Sequence, residues 1–350
     1  MTFDEFVTTV TQDEILPVVT DTVLRSNVLT LRLLGNPKAW NGENMKFPIK
    51  YASSTSGGSF DGFDVFSTVK PDTRVNMQFY PKAYYQSVVL SNMEAAVNQG
   101  KARVLDLIKT EMDSAKDDMA DGIGTLMYGL GTGNGGKDFT GLGAAVDDGT
   151  AVAVYGGLNR AVYTTIQSTK TNLAGNLTLA AMATMYNACA VGADRPTLIV
   201  CNETVWSYYE TLLQPTVVAN YDAGGFAQVT KNGIAATRGA LNGEIGFDAL
   251  FFRGTPVVRD EKCTAQYMYF LNEKYLSWYA LPHPDNQKAE GRGSAIDGAY
   301  TTQGDVPVMS WTGFKVPVNQ DAKIGQFILY GDLVNRNCNR SGVLIGITGV

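Results

Sequence analysis

The chain has 350 residues and a net charge of −6, with 45% hydrophobic and 18% charged residues. That length passes the roughly 250–300 residues at which one core stops growing, so two compact domains with excursions are expected. The absence of a basic block excludes tight or sequence-reading binding to nucleic acid, but not a container that merely encloses it. Charged residues fall below the roughly 25% of ordinary soluble domains, and tyrosines number 17. A surface of that kind suits a protein buried in an assembly. It also suits a β-rich globular protein, and composition does not separate the two.

The N-terminus, MTFDEFVTTV, lacks the basic and apolar regions of a signal peptide. No stretch approaches the roughly 20 apolar residues of a membrane span. Residues 1–40 carry a few apolar positions (Phe3, Phe6, Val10, then Val23, Leu24, Val28 and Leu29) but no obvious domain. MKFPIKY (45–51) alternates as a strand, with Phe47, Ile49 and Tyr51 on one side and Lys46, Pro48 and Lys50 on the other. Residues 73–91 form a second β-rich run. The Gly- and Ser-rich stretch between them holds Phe60, Phe63 and Phe66. The whole reads as a long two-stranded excursion with a loose tip. An isolated hairpin is marginal in water, so it needs a partner, either the rest of the chain or another subunit. The three phenylalanines are the candidate subunit interface.

Residues 91–128 carry the strongest local signal. Ser91 and Glu94 form a capping box. Met93, Val97, Val104, Ile108, Met112, Ala115, Met119, Ile123 and Met127 then mark one helical face. Lys101, Arg103, Asp106, Lys109, Asp113, Lys116 and Asp117 lie opposite. Unbroken, the helix would be about 55 Å long. Gly100 and Gly122 could fray or bend it, and Gly129 ends it. Farther on, 177–191 reads as a helix and 197–201 as a buried strand. Asn202 caps a helix that Pro215 closes. Residues 245–281 are β-rich, and the C-terminal segment holds two strands around a polar turn. Strands and helices mix without regular alternation, which favours an α+β fold.

GLGTGNGGKDFTGLG (129–143) matches both G-x-G-x-x-G and G-x-x-x-x-G-K, so a nucleotide-using cytoplasmic enzyme is one reading. The chemistry opposes it. Asp138 stands where a P-loop needs a hydroxyl for magnesium, and the stretch follows a helix instead of a buried strand. A helix-ending loop with glycines at positive φ is expected, with no nucleotide and no cofactor. Four cysteines at 189, 201, 263 and 338 form no C-x-x-C and fit reduced thiols in a cytoplasmic protein. Cys189 and Cys201 are expected as buried fillers. His283 is the only histidine, which excludes multi-histidine metal sites. No G-x-S-x-G surrounds a serine, so no catalytic residues are assigned. The acidic pairs Asp117–Asp118 and Asp147–Asp148 are expected on solvated faces.

The ordered set of segments resembles the major capsid proteins of tailed bacteriophages, the Hong Kong 97-like fold. The strand pair framing a polar tip is followed by VVLSNMEAAVNQGKARVLDLIKTEMDSAKDDMADGIGTLMYGLGTG. That stretch is similar to the family's strand, long spine helix and glycine turn. FFRGTPVVRDEKC, then YMYFLNEKYLSWYALP, and GQFILYGDLVNRNCNRSGVLIGI are similar to its later strands. The resemblance implies an N-terminal arm at 1–40, an extended loop at 41–90 and a peripheral domain with the spine helix at 91–174. It implies an axial domain at 175–305 and C-terminal strands of the peripheral domain at 306–350. It also implies a structural protein of the virion, assembled in the host bacterial cytoplasm. The partners would be copies of itself in hexamers and pentamers, a portal, packaged DNA without sequence-specific contacts, and a separate scaffolding protein. The last follows because only about ninety residues precede the spine helix; cleavage upstream of Met1 is the other way to account for that. A cellular nanocompartment shell enclosing an enzyme cargo is the alternative on the same fold.

Overall fold

The computed structural model describes residues 27–66, 69–93, 101–192, 194–222, 249–281 and 309–350, with the backbone alone at 31, 101–110, 113, 116, 214–222, 249 and 309. The chain opens with helix α1 (Val28–Leu34), whose Val28, Leu29, Leu33 and Leu34 are buried. Short strand β1 (Lys38–Ala39) follows. Strands β2 (Met45–Lys50) and β3 (Arg74–Phe79) then form an antiparallel ribbon in register Met45↔Phe79 to Lys50↔Arg74. Burial alternates along β2 as the period-two pattern requires. Strand β4 (Lys82–Ser91) leads to the long helix α2 (Lys101–Met127), about 40 Å at 1.5 Å per residue.

Over its described side chains α2 keeps the expected phase. Met112, Ala115, Met119, Ile123 and Met127 are buried, while Glu111, Asp117 and Asp118 are exposed. Val97 and Glu94 lie outside the described residues, as do the side chains of Val104, Asp106 and Ile108. One residue at the helix start differs from expectation. Ser91 belongs to β4, where it pairs with Ala322, and Met93 is 74% exposed instead of lying on the core face. The Ser91 hydroxyl also accepts the Met93 N–H, at 3.2 Å, as an N-cap does, and its expected partner Glu94 lies outside the described residues. Gly122 neither frays nor breaks the helix. Its missing side chain leaves room for the Tyr84 hydroxyl, which would stand 2.1 Å from a Cβ there.

After α2 come two single helical turns (Gly133–Gly136 and Leu142–Ala145) and the small hairpin of β5 (Val154–Tyr155) and β6 (Leu158–Asn159). Strand β7 (Thr169–Asn176), helix α3 (Leu179–Cys189) and strand β8 (Leu198–Cys201) follow. Helix α4 (Glu203–Asp222) starts where expected, with the Asn202 side chain accepting the Val205 N–H at 3.1 Å. It does not stop at Pro215. The ring removes one backbone donor but fits helical φ, so the helix runs on. Strands β9 (Ala249–Phe252), β10 (Thr255–Arg259), β11 (Met268–Leu271), β12 (Leu276–Ala280), β13 (Met309–Trp311), β14 (Ala322–Asn335) and β15 (Gly342–Gly349) complete the chain.

The strands build two main sheets. One has the order β1-β12-β14-β13, with β4 also paired to β14; the other has the order β7-β15-β11-β8-β10-β9. The second sheet is covered on both faces. Ile199, Cys201, Met268 and Phe270 pack with Met182, Met185, Val205 and Tyr209 of α3 and α4. The alternate residues Leu198, Val200, Tyr269 and Leu271 join the core that α2 and the first sheet share. Cover on both faces explains why β8 is a continuous apolar run. Cys189, Cys201, Cys263 and Cys338 are all buried and free, and burial pushes the Cys189 thiol up to about 12.

Each sheet contains a strand whose sequence neighbour lies in the other. The chain passes from β11 to β12 through Asn272, and from β14 to β15 through Asn335. Both asparagines are buried. Each side-chain oxygen accepts a backbone N–H two residues on: Lys274 N at 3.1 Å and Asn337 N at 3.2 Å. Removing either side chain leaves a part-buried backbone donor unpaired. Asn272→Ala and Asn335→Ala should each lower unfolding free energy by about 1–3 kcal/mol, measured by urea titration. An unchanged urea midpoint in both would mean that the turns hold without them.

Candidate assembly surface

The β2–β3 ribbon stands on an aromatic ladder. Phe47 meets Phe79 at 6.0 Å and Tyr279 at 5.5 Å between ring centroids, and Phe79 meets Tyr155 at 5.3 Å. The Gln78 N–H donates to Gly156 O at 2.8 Å. Farther out, Tyr51 packs edge-on against Tyr163 at 5.1 Å, and its hydroxyl donates to Asp72 O at 2.9 Å. Beyond this point the chain leaves the core. Ser56 Oγ donates to Val69 O at 2.7 Å across the loop, and Asp64 accepts the Asp61 N–H at 2.8 Å in the tip turn.

The tip carries the three predicted residues. Phe60, Phe63 and Phe66 are 66%, 103% and 63% exposed, beside exposed Val65 and Val69. Phe60 and Phe66 meet each other edge-on, with centroids 4.9 Å apart. Phe63 stands clear. The ribbon base therefore belongs to the subunit core, whereas its tip is an apolar patch in solvent.

The glycine stretch closes α2 and turns the chain back. Gly131, Asn134, Gly135 and Gly136 all have positive φ. A Cβ at Gly141 would lie 2.4–2.6 Å from Leu126 O and the Gly129 backbone, so the returning chain crosses the helix end where only glycine fits. Lys82 of β4 holds the turn, its ammonium donating to the carbonyls of Gly131 and Asp138 at 3.3 and 2.5 Å. Thr140 donates through its N–H and its hydroxyl to Asp332, at 2.7 and 2.8 Å. The cavity beside the turn, lined by Tyr84, Tyr85, Leu126 and Lys137 among others, has a volume of about 130 Å³. Ligand pockets run to about 300–1,000 Å³. Lys137 itself is exposed.

Asp147 overturns one expectation. It is fully buried, while Asp117 and Asp118 are solvated. Burial works to raise its pKa, but the Lys170 ammonium at 2.8 Å and backbone N–H donors from Gly149, Ala151 and Val152 outweigh that and hold it below the usual range. Arg160, also fully buried, lies 3.7 Å away and donates to the carbonyls of Ala144, Val152 and Ile166. These groups are structural ties within one loop system. His283 lies outside the described residues. Among the described residues no group of three metal-ligating side chains gathers, and no helix is long and apolar enough to cross a membrane.

The whole architecture has solved counterparts. The cyanophage A-1(L) capsid protein aligns over 92% of this chain and 93% of its own at 18% identity, with a TM-score of 0.66. The capsid of a native GTA particle aligns over 92% and 91% at 10% identity, with a TM-score of 0.51. This is the Hong Kong 97-like capsid fold. At these identities the likeness concerns the fold. No family model and no curated protein matches the sequence.

Sequence reading singled out Phe60, Phe63 and Phe66, which the structure leaves exposed, but missed Lys82 and Asp332 as the clamp on the turn that ends α2. Burial drives the Asp332 pKa up to about 6, against the nearby Lys82 charge and its hydrogen-bond donors. A carboxyl with a raised folded pKa binds its proton more tightly in the fold, so stability drops as pH climbs from about 4 to about 6. Relative to Asp332→Asn, the wild type should lose about 3 kcal/mol across that window. Urea midpoints of both proteins at pH 4, 5, 6 and 7 measure it, and parallel pH profiles would refute the assignment.

Proposed function

We propose that this chain is the major structural subunit of a tailed-phage head, self-assembling into an icosahedral shell around double-stranded DNA, and that it is not an enzyme. The observation that carries the reading is the capsid fold shared with the cyanophage protein over nine-tenths of both chains. Fold alone does not fix function, so a site must support it as well. The exposed tip of the extended loop supplies that support. Each aromatic can bury about 150–250 Å². Three phenylalanines in solvent on a Gly- and Ser-rich loop have no core of their own, and packing on a neighbouring copy removes them from water.

In this reading the arm, extended loop, peripheral and axial segments keep the roles expected of them. Copies meet as hexamers and pentamers, a separate scaffold and a portal complete assembly in the host bacterial cytoplasm, and the product is the virion capsid. The acidic net charge suits a wall that encloses DNA without gripping it. Replacing residues 55–69 by a short Gly-Ser linker should leave the subunit folded and abolish closed shells in electron micrographs. Normal shells from that variant would sink the clasp, and loss of folding would place the phenylalanines in the subunit's own core. Wild-type shells holding a protein cargo instead of DNA would point to a nanocompartment.

A further inference from the structure

The sequence has no basic block, yet the fold builds a basic patch where the two sheets join. Segments far apart in the chain meet there. Lys38 of β1 pairs with Tyr279 of β12, and its ammonium lies 5.8 Å from the centre of that ring. Arg336, in the turn from β14 to β15, donates through Nη2 to Lys274 O at 3.1 Å. Burial, followed by the nearby Arg336 charge, holds the Lys38 ammonium below its usual range. Arg340 closes the same turn. Hydrogen bonds from Lys274 and Tyr275, with the Lys274 and Arg340 charges behind them, hold the Asp194 carboxyl below its usual range. Arg195, next to Asp194 in the chain, is exposed, and its carbonyl accepts the Asn272 amide at 3.0 Å. The carboxylates of the patch are already taken. Glu273 accepts Arg32 at 2.6 and 3.0 Å, and Asp194 accepts Lys274 at 2.8 Å. Lys38, Arg195, Arg336 and Arg340 have no ion-pair partner among the described residues. Like charges gathered at one place repel, and an external anion offsets that cost.

We propose that this junction patch binds the phosphodiester backbone of duplex DNA through Lys38, Arg195, Arg336 and Arg340, without reading its sequence. The choice of duplex DNA rests on the shell reading, to which it adds the place of contact. Three of the four cations are arginines, whose planar forks suit phosphate oxygens. The chain as a whole has a net charge of −6 and repels DNA, so the patch sets which face of the subunit lines the interior. Four charges bind weakly in one copy, and a shell repeats them in every copy. An acidic protein segment is the other polyanion such a patch could meet. Duplex DNA carries one charge per about 1.7 Å of its axis, whereas even an unbroken run of carboxylates carries one per about 3.3–3.6 Å of extended chain. Counterion release rewards the denser charge, which favours the duplex.

Binding of the purified full chain to a fluorescent duplex of mixed sequence is followed by anisotropy from about 0.02 to about 0.2 M NaCl. The slope of log K against log salt should be about −3.6, near −0.9 for each of four phosphates. Lys38→Gln/Arg336→Gln/Arg340→Gln should bring it to about −0.9 and weaken binding at the lowest salt at least about tenfold. Lys38→Arg/Arg336→Lys/Arg340→Lys keeps the charges and should keep the slope. Lys46→Gln/Lys50→Gln/Arg74→Gln removes exposed cations from the β2–β3 ribbon and should leave the slope unchanged. Circular dichroism checks that each variant folds. Should the first variant unfold, Lys38→Gln/Arg195→Gln decides the matter, because neither side chain makes a hydrogen bond among the described residues. Its slope should be shallower by about 1.8. A wild type that does not bind, a slope untouched by the junction changes, or an equal loss from the ribbon changes would overturn the site. Displacement of the duplex by polyglutamate at equal charge concentration would overturn it in favour of an acidic protein segment. DNA binding of the expected slope by a chain that forms no shells in electron micrographs would keep the site and remove the shell reading. Shells from a wild type that ignores DNA would remove the site alone.

Discussion

The chain passes between its two main sheets at two turns, and each begins with a buried asparagine. A crossing there must satisfy backbone donors that have left one ladder and not yet joined the next. Asn272 and Asn335 do this with their own side chains. The turns also bind each other, since Arg336 N donates to Tyr275 O at 3.1 Å and Leu276 pairs with Asn335. The two sheets are thus joined by covalent crossings and by hydrogen bonds at one place. The other ties depend on that junction. Strand β14 runs from it for fourteen residues, each with a ladder partner in β4 or β12.

A chain with few charges buries several of them, and each buried charge fixes a loop. Asp147 gathers backbone N–H groups from its own turn, and Arg160 gathers carbonyls from the segments around it. Asp332 and Lys82 hold the turn that ends α2, and both reach the Thr140 hydroxyl. Buried ionic groups of this kind are weak sources of net stability, because desolvation offsets much of the attraction. They do specify geometry, since an alternative loop path would strand a charge in the core. The loop system of Asp147 and Arg160 also meets the base of the ribbon, where Gly156 O accepts the Gln78 N–H and Tyr155 packs on Phe79.

The ribbon then divides its work by face and by distance. Period-two alternation sends Phe47, Ile49, Val75 and Phe79 to the core and leaves Lys46, Lys50 and Arg74 in water. Outward from Tyr51 the inner face has no core left to meet, and the apolar residues of the tip are exposed. A subunit built this way is stable at its base and incomplete at its tip. Under the proposed clasp, another copy of the chain would resolve that imbalance.

Local periodicity was enough to locate the ribbon, the phase of α2 from Met112 to Met127, the β8 run and the Asn202 cap. Each of these depends on residues a few positions apart, and the ordered segments also pointed to the capsid fold. Other features depended on partners distant in sequence. Ser91 became a strand residue because Ala322 pairs with it, and Met93 was left exposed. Pro215 did not end its helix, since a proline's fixed φ is compatible with the turn it sits in. Asp147 is buried because Lys170, 23 positions away, balances it. The membership of β12 and β15 in opposite sheets was invisible locally, because their apolar runs would suit either. By itself the sequence determined which segments would be strands and helices and which faces were apolar. The tertiary structure decided which ladder each strand joined and which charges were buried, because hydrogen-bond pairing and desolvation are settled between segments that only folding brings together.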